Sequence, residues 1–245
     1  MRGVKSLIQA SAPGKLARTG KFACFRARSS KNRAVGPKLR GITKLLHRRL
    51  YSEASLPSDG GWRGGAWQGS GGGLRRGKAV DSQVSRLANG SASARKTSRM
   101  LKLTRMAFNA LEYHQLVPVA AQRVVIDAMR GIGTAVDIVC TRGAHELVLV
   151  ELKTGFSGDR TRDVGTFMQK PLAKAKDSNI NRHFAQLAVT VHLFKQESTT
   201  LAKLQAKGVD QVSGCVLYVD GDLSEKFELP TWWEKRGGRI ASRIS

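Results

Sequence analysis

The chain has 245 residues, with 42 Lys and Arg against 18 Asp and Glu, a formal net charge of +24. A surplus of that size points to a polyanionic partner, nucleic acid ahead of an anionic membrane. The 3 cysteines stand far apart and no CxxC occurs, which excludes a disulfide-stapled fold and disfavours a zinc site or an iron–sulfur cluster. No run of ~18 apolar residues is present, so no membrane insertion is expected.

The charge is unevenly spread. Residues 1–100 carry a net +19 and residues 101–245 only +5. No acidic residue precedes Glu53, and the opening stretch is rich in Arg, Lys, Ser and Ala. That composition matches an organellar transit peptide, for which a mitochondrion is the natural destination. It equally describes a basic arm that touches nucleic acid in nucleus or cytoplasm. Within residues 38–52, Ile42, Leu45, Leu46 and Leu50 recur at helical spacing beside Arg48 and Arg49, so a short helix is expected there. Residues 60–77 contain 9 glycines among 18 residues, too many to order alone, and read as a linker. Trp62 and Trp67 within it would suit stacking on unpaired bases. Residues 78–99 stay polar. Residues 1–99 are therefore expected to be largely disordered, with a folded domain over 100–235 and a flexible basic tail over 236–245.

The folded part reads as α/β. Residues 100–116 place Leu101, Leu103, Met106, Ala107, Ala110 and Leu111 as a helix would, and Pro118 is expected to stop it. Arg123–Ile126 is a β-branched strand. A second strand covers Thr134–Thr141, and a third covers the apolar run Leu147–Lys153. Residues 156–170 read as a loop. Residues 178–197 and 198–207 read as helices, and Val212–Asp220 as a fourth strand. A helix, three strands, a helix and a strand make an α/β core around a mixed sheet.

Charged residues interrupt those apolar strands. Asp137 sits inside Ala135–Val139, and Glu151 and Lys153 end the third strand on one of its faces. If a hairpin turns near residue 143, Asp137 lies opposite residues 149–151 and can share a site with Glu151. Two carboxylates and an ammonium on a mostly buried sheet are costly unless compensated. A bound Mg²⁺ or Mn²⁺ ion is a natural compensation. A solvated pair at a strand end is the plainer reading of Glu151 and Lys153.

Asp137, followed 14 residues later by Glu151-Leu152-Lys153, resembles the core motif of the PD-(D/E)XK nuclease superfamily. Glu151-Leu152-Lys153-Thr154-Gly155 is similar to the (D/E)xKTG variant of its RecB-like branch, and Gln186 matches that branch's helical Gln. The resemblance covers about 101–220. It departs where Val136 replaces a Pro and where Thr190 stands near the position of a frequent Tyr. The cysteines that hold an iron–sulfur cluster in some members are absent.

The resemblance implies a restriction-endonuclease-like αβββαβ core and metal-dependent hydrolysis of phosphodiester bonds, with DNA ahead of RNA as substrate. Genome maintenance or repair of an organellar or viral kind would be the setting. Asp137 and Glu151 would hold Mg²⁺ together with the Leu152 backbone carbonyl, and Glu112 stands where some members carry a further acid. Lys153 would orient water or stabilise developing charge, and Gln186 would position the site. Arg160, Arg162, Lys170, Lys174 and Lys176, with Arg182 and His183 flanking, are candidate nucleic-acid contacts. The rival is a catalytically inactive nucleic-acid-binding protein of the same fold.

Overall fold

The computed structural model describes residues 2–10, 17–18, 24–28, 34–51, 72–90, 100–154, 163–221 and 223–245. In chain order the helices and strands begin with α1 (Arg2–Ala10), β1 (Ala17–Arg18), β2 (Cys24–Arg28), β3 (Ala34–Gly41), α2 (Ile42–Arg49) and α3 (Gly72–Ala88). There follow α4 (Lys102–Tyr113), β4 (Leu116–Asp127), β5 (Ile132–Arg142), β6 (Glu146–Thr154), β7 (Asp163–Phe167), β8 (Lys176–Ser178), α5 (Asn179–Lys195) and α6 (Ser198–Gln205). The chain closes with β9 (Gln211–Asp220), β10 (Leu223–Glu228), α7 (Thr231–Glu234) and α8 (Gly237–Ile244).

One mixed sheet organises these elements. β4, β5 and β6 form an antiparallel meander, β9 joins β6 in parallel, and β10 folds back antiparallel on β9. The β6–β9 pairing is parallel, so the chain must cross over a sheet face, and α5 and α6 lie in that connection. β3 pairs in parallel with Ile132 and Gly133 of β5, a stretch that the β5–β6 ladder does not reach.

The apolar side chains divide into two cores, one on each face. Val80 and Val84 of α3 and Leu103, Ala107, Ala110 and Leu111 of α4 pack with Ile138, Val148, Val150 and Leu217. On the other face, α1, α2, α5, α6 and α8 pack with Val139, Leu147, Leu149 and Val216. The protein is thus an α/β fold, a mixed sheet flanked by helices.

Several expectations shift at the ends of the chain. The region 1–99 supplies core. Val4 and Ile8 of α1, Ile42, Leu45 and Leu46 of α2, Leu50, Tyr51, and Val80, Val84 and Ala88 of α3 are all buried. Residues 72–77, expected as linker, begin α3. Val80, Val84 and Ala88 repeat every fourth residue, so one face of this polar, Arg-rich helix is apolar and has a sheet to pack on. The rest of the glycine-rich segment, with Trp62 and Trp67, lies outside the described residues. The boundary expected near residue 100 does not divide the core. A presequence removed up to residue 52 would take α1 and α2 with it.

The expected tail 236–245 is the helix α8, with Ile240, Ala241 and Ile244 fully buried. It seats closely on α5, where a Cβ at Gly237 would lie 2.4 Å from the Ala188 carbonyl oxygen. The first expected helix ends at Tyr113, before Pro118. Pro118 instead lies in β4 where the register to β5 shifts, a position that tolerates its missing N–H. Residues 163–167, expected as loop, pair with β8.

Candidate functional site

The β5–β6 hairpin assembles the centre of the site. Ile138 pairs with Val150 and Val139 with Leu149. Continuing that register by one residue sets Asp137 across from Glu151. The turn that fixes it contains Gly143, whose φ of +63° is a left-handed conformation suited to glycine. Glu151 and Lys153 continue the alternation of Leu147 and Leu149, so they share the face that α5 covers.

Glu151 is 2% exposed. Its Oε1 accepts from Lys153 Nζ at 2.5 Å and from Gln186 Nε2 at 2.6 Å. Gln186 reaches it because α5 packs on β6, led in by Ser178, whose side chain accepts from the Asn181 N–H as an N-cap. Asp137 is half-buried, and its Oδ2 accepts from the Leu152 N–H at 2.9 Å. Burial, then the neighbouring Glu151, hold the Asp137 carboxyl well above the usual carboxylate range, against the pull of Lys153. Burial works against the Lys153 ammonium, but Glu151 and Asp137 outweigh it and raise its pKa.

A third carboxylate joins from the opposite layer. Asp81 of α3 accepts from Gln122 Nε2 at 2.7 Å, and the same nitrogen lies 3.5 Å from Asp137 Oδ1. Burial raises the Asp81 pKa, and Glu151 adds to the effect. Gln122 of β4 falls across from Asp137 in the β4–β5 register and has a φ of 54°, a backbone state that ordinary residues seldom adopt. Two contacts fix α3 over this point. Asn89 exchanges hydrogen bonds with the backbone of Ala121, and Gln83 accepts from the Leu101 N–H.

The structure therefore brings together Asp137, Glu151, Lys153 and Gln186, as the sequence led one to expect. It adds Asp81 and Gln122, which sequence reasoning missed. Asp81 stands in the stretch 78–99 read as polar and unfolded, and only the repeat of Val80, Val84 and Ala88 signals its helix. Glu112, the acid expected from a helix, is exposed on α4 with no contact to the site among the described residues. The helical carboxylate that does reach this cluster is Asp81 of α3.

The flanking residues are more varied. Lys170, Lys174 and Lys176 are exposed, and Arg160 and Arg162 lie outside the described residues. Arg182 does not offer an unengaged cation. Its Nε and Nη2 donate to Asp177 at 2.6 and 3.1 Å, and its guanidinium stacks over Tyr51. His183 Nδ1 lies 2.7 Å from the Tyr218 hydroxyl, and burial, then Lys153 and Arg182, hold its pKa well below the usual histidine range. That direction works against His183 as a phosphate-binding cation. His183 packs beside the site because Tyr218 is the register neighbour of Lys153.

Among the described residues, no group of three His, Cys, Asp or Glu stands ready to hold a metal ion. The donor chemistry nevertheless suits a hard divalent cation. Among the described residues, Asp81, Asp137 and Glu151 are oxygen donors beside one ammonium, that of Lys153, so ionising all three leaves excess negative charge in a poorly solvated place. Asp137 and Glu151, with the Leu152 carbonyl, are the residues that would hold such an ion. Compared with protein-family models, with curated proteins and with solved structures, the chain gives no significant match.

Proposed function

We propose that this protein is a metal-dependent nuclease that hydrolyses phosphodiester bonds of DNA in preference to RNA, on a restriction-endonuclease-like core. The observation that carries the proposal is the excess of carboxylate over ammonium where Asp137 faces Glu151 and Lys153. Such a cluster is costly to fold and becomes favourable when a divalent cation and a phosphate enter it.

Mg²⁺, when bound, would supply a polarised phosphate and a bound water of lowered pKa. The chain's residues do the rest. Asp137 and Glu151 hold the ion, and Asp81, through Gln122, orients Asp137. Lys153 leaves Glu151 to face the phosphate, where its ammonium offsets charge developing in the transition state. Gln186 keeps the Glu151 carboxylate aimed. The order α4–β4–β5–β6–α5–β9, with β7 and β8 inserted before α5 and α6 before β9, supports that reading.

A second reading has its own observation. Lys153 and Gln186 both bind Glu151 Oε1, so that carboxylate is satisfied by the protein alone. This favours a nucleic-acid binder that does not cut.

One assay separates the two. The full chain, which includes Asp81, is incubated with end-labelled single- and double-stranded DNA and RNA, with and without Mg²⁺. Asp137→Asn, Glu151→Gln and Lys153→Met are run beside it. Mg²⁺-dependent products that disappear in all three folded variants support the nuclease. Binding without cleavage by the wild type overturns it in favour of the silent binder.

A further inference from the structure

The exposed arginines of α2 and α8 gather on one surface. α2 buries Ile42, Leu45 and Leu46 and exposes Lys44, Arg48 and Arg49. α8 buries Ile240, Ala241 and Ile244 and exposes Arg239 and Arg243. The two helices pack against each other, and both pack on α5. Neither contains an acidic residue. Arg40, just before α2, is exposed and donates to the Arg130 carbonyl, while Arg130 reaches Ser242 of α8. Arg130 is neutralised by Asp127. Among the described residues, no carboxylate pairs with Arg40, Arg48, Arg49, Arg239 or Arg243.

Helix dipoles do not account for the cluster. His47, Arg48 and Arg49 fill the last turn of α2, where a cation is favourable. Arg239, however, lies near the start of α8, the positive end, with no acidic residue in that turn. A second cation, Arg243, follows at i+4 on the same face. Lys44 and Arg48 repeat that spacing on α2. Each pair is therefore separated by about 6 Å along its axis, a separation comparable to that of adjacent phosphates on one strand.

The segment that follows α2 also packs on the helix that carries Gln186. Leu50, next after α2, accepts from the Gln169 N–H through its carbonyl, and Tyr51 donates its hydroxyl to the Arg182 carbonyl on α5. One turn further along α5, Gln186 binds Glu151.

We propose that the α2/α8 face is a track for the sugar–phosphate backbone of nucleic acid, holding the strand outside the cleavage site by charge without reading sequence. The inference rests on the nucleic-acid reading above and adds where the substrate lies. Arg48, Arg49, Arg239 and Arg243 are its phosphate contacts, with Arg40 and Lys44 at its edge.

The test measures binding in EDTA, where cleavage plays no part. Full-length protein is titrated with fluorescent single-stranded and duplex DNA over a range of salt. The variant Arg48→Ala/Arg49→Ala/Arg239→Ala/Arg243→Ala is compared with Lys102→Ala/Arg105→Ala/Lys203→Ala/Lys207→Ala, which loses the same charge from other exposed positions. The track variant is expected to bind at least tenfold more weakly, with a slope of log K against log salt smaller by about 3 to 4. The control variant and the four-fold Arg→Lys variant are expected to keep most of the slope. Equal losses in the track and control variants would overturn the track, as would an unchanged affinity in the track variant. Preferential binding of the wild type to phosphatidylserine vesicles over DNA would also overturn it. Binding that follows the track while Mg²⁺ yields no products would remove the nuclease reading and leave the track standing.

Discussion

Asp177 and Arg182 form one charged cluster beside α5, while Asp81, Asp137, Glu151 and Lys153 form another, and the two differ in balance. Asp177 is fully buried, and one guanidinium meets both its oxygens. Tyr51 covers that guanidinium with its ring. The charges cancel, the geometry is bidentate, and nothing further is required. At the other cluster, among the described residues, three carboxylates share one ammonium, and both Asp81 and Asp137 are pushed above their ordinary range. A balanced buried pair serves the fold, whereas an unbalanced one stores a demand for positive charge. Under the proposed function, a divalent cation and, through it, substrate meet this demand.

Breaking the balanced cluster has the largest expected effect on stability. Arg182→Ala leaves Asp177 buried without its cation and is expected to cost about 3–5 kcal/mol in chemical denaturation. Ile8→Ala, at a fully buried position of α1, is expected to cost about 2–4 kcal/mol. A loss near zero in that variant would mean that α1 is not part of the core. In the unbalanced cluster, Asp81→Asn is expected to lower cleavage about tenfold and to raise the Mg²⁺ concentration needed, because Gln122 would no longer tie Asp137 to α3.

The smallest expected effect has the opposite sign and sharpens the contrast. The Asp137 pKa is raised on folding, so ionisation of this carboxyl opposes the fold, and the opposition fades as pH falls from the folded value towards the ordinary carboxylate range. Asp137→Asn is therefore expected to raise the melting temperature by a few degrees at neutral pH in EDTA. The gain over wild type shrinks in mildly acidic buffer. A destabilised variant at neutral pH would show that the charge is already compensated by the protein alone.

The centre of the site was legible because its logic is local. Asp137, Glu151 and Lys153 belong to one hairpin, and the position of its turn sets their register. Gln186 was implied by the resemblance to the RecB-like branch, and the apolar pattern of α5 only set it on a helix. Asp81 and Gln122 were not legible for the converse reason. Asp81 comes from a distant helix whose surface is Ser- and Arg-rich, and Gln122 depends on a backbone state that no residue pattern announces. Glu112 drew attention because it lies on the helix read just before the strands, where the resemblance implies a further acid. Among the described residues, exposed basic side chains of 1–99 and 236–245 sit on the outer faces of α2, α3 and α8. Their inner faces, such as Ile240, Ala241 and Ile244, are short apolar stripes that average composition conceals. The sheet edge β10 was missed because its residues are all half or fully exposed, leaving no alternation to read.

Metal uptake tests the central account most directly. Full-length protein, freed of metal, is titrated with Mn²⁺ in a calorimeter beside Glu151→Gln and Asp137→Asn. The account predicts that the wild type takes up the ion and that either substitution, with the fold intact, abolishes the heat. A wild type that binds no ion, or variants that bind it equally well, would contradict the claim that the excess carboxylate at this site exists to be filled.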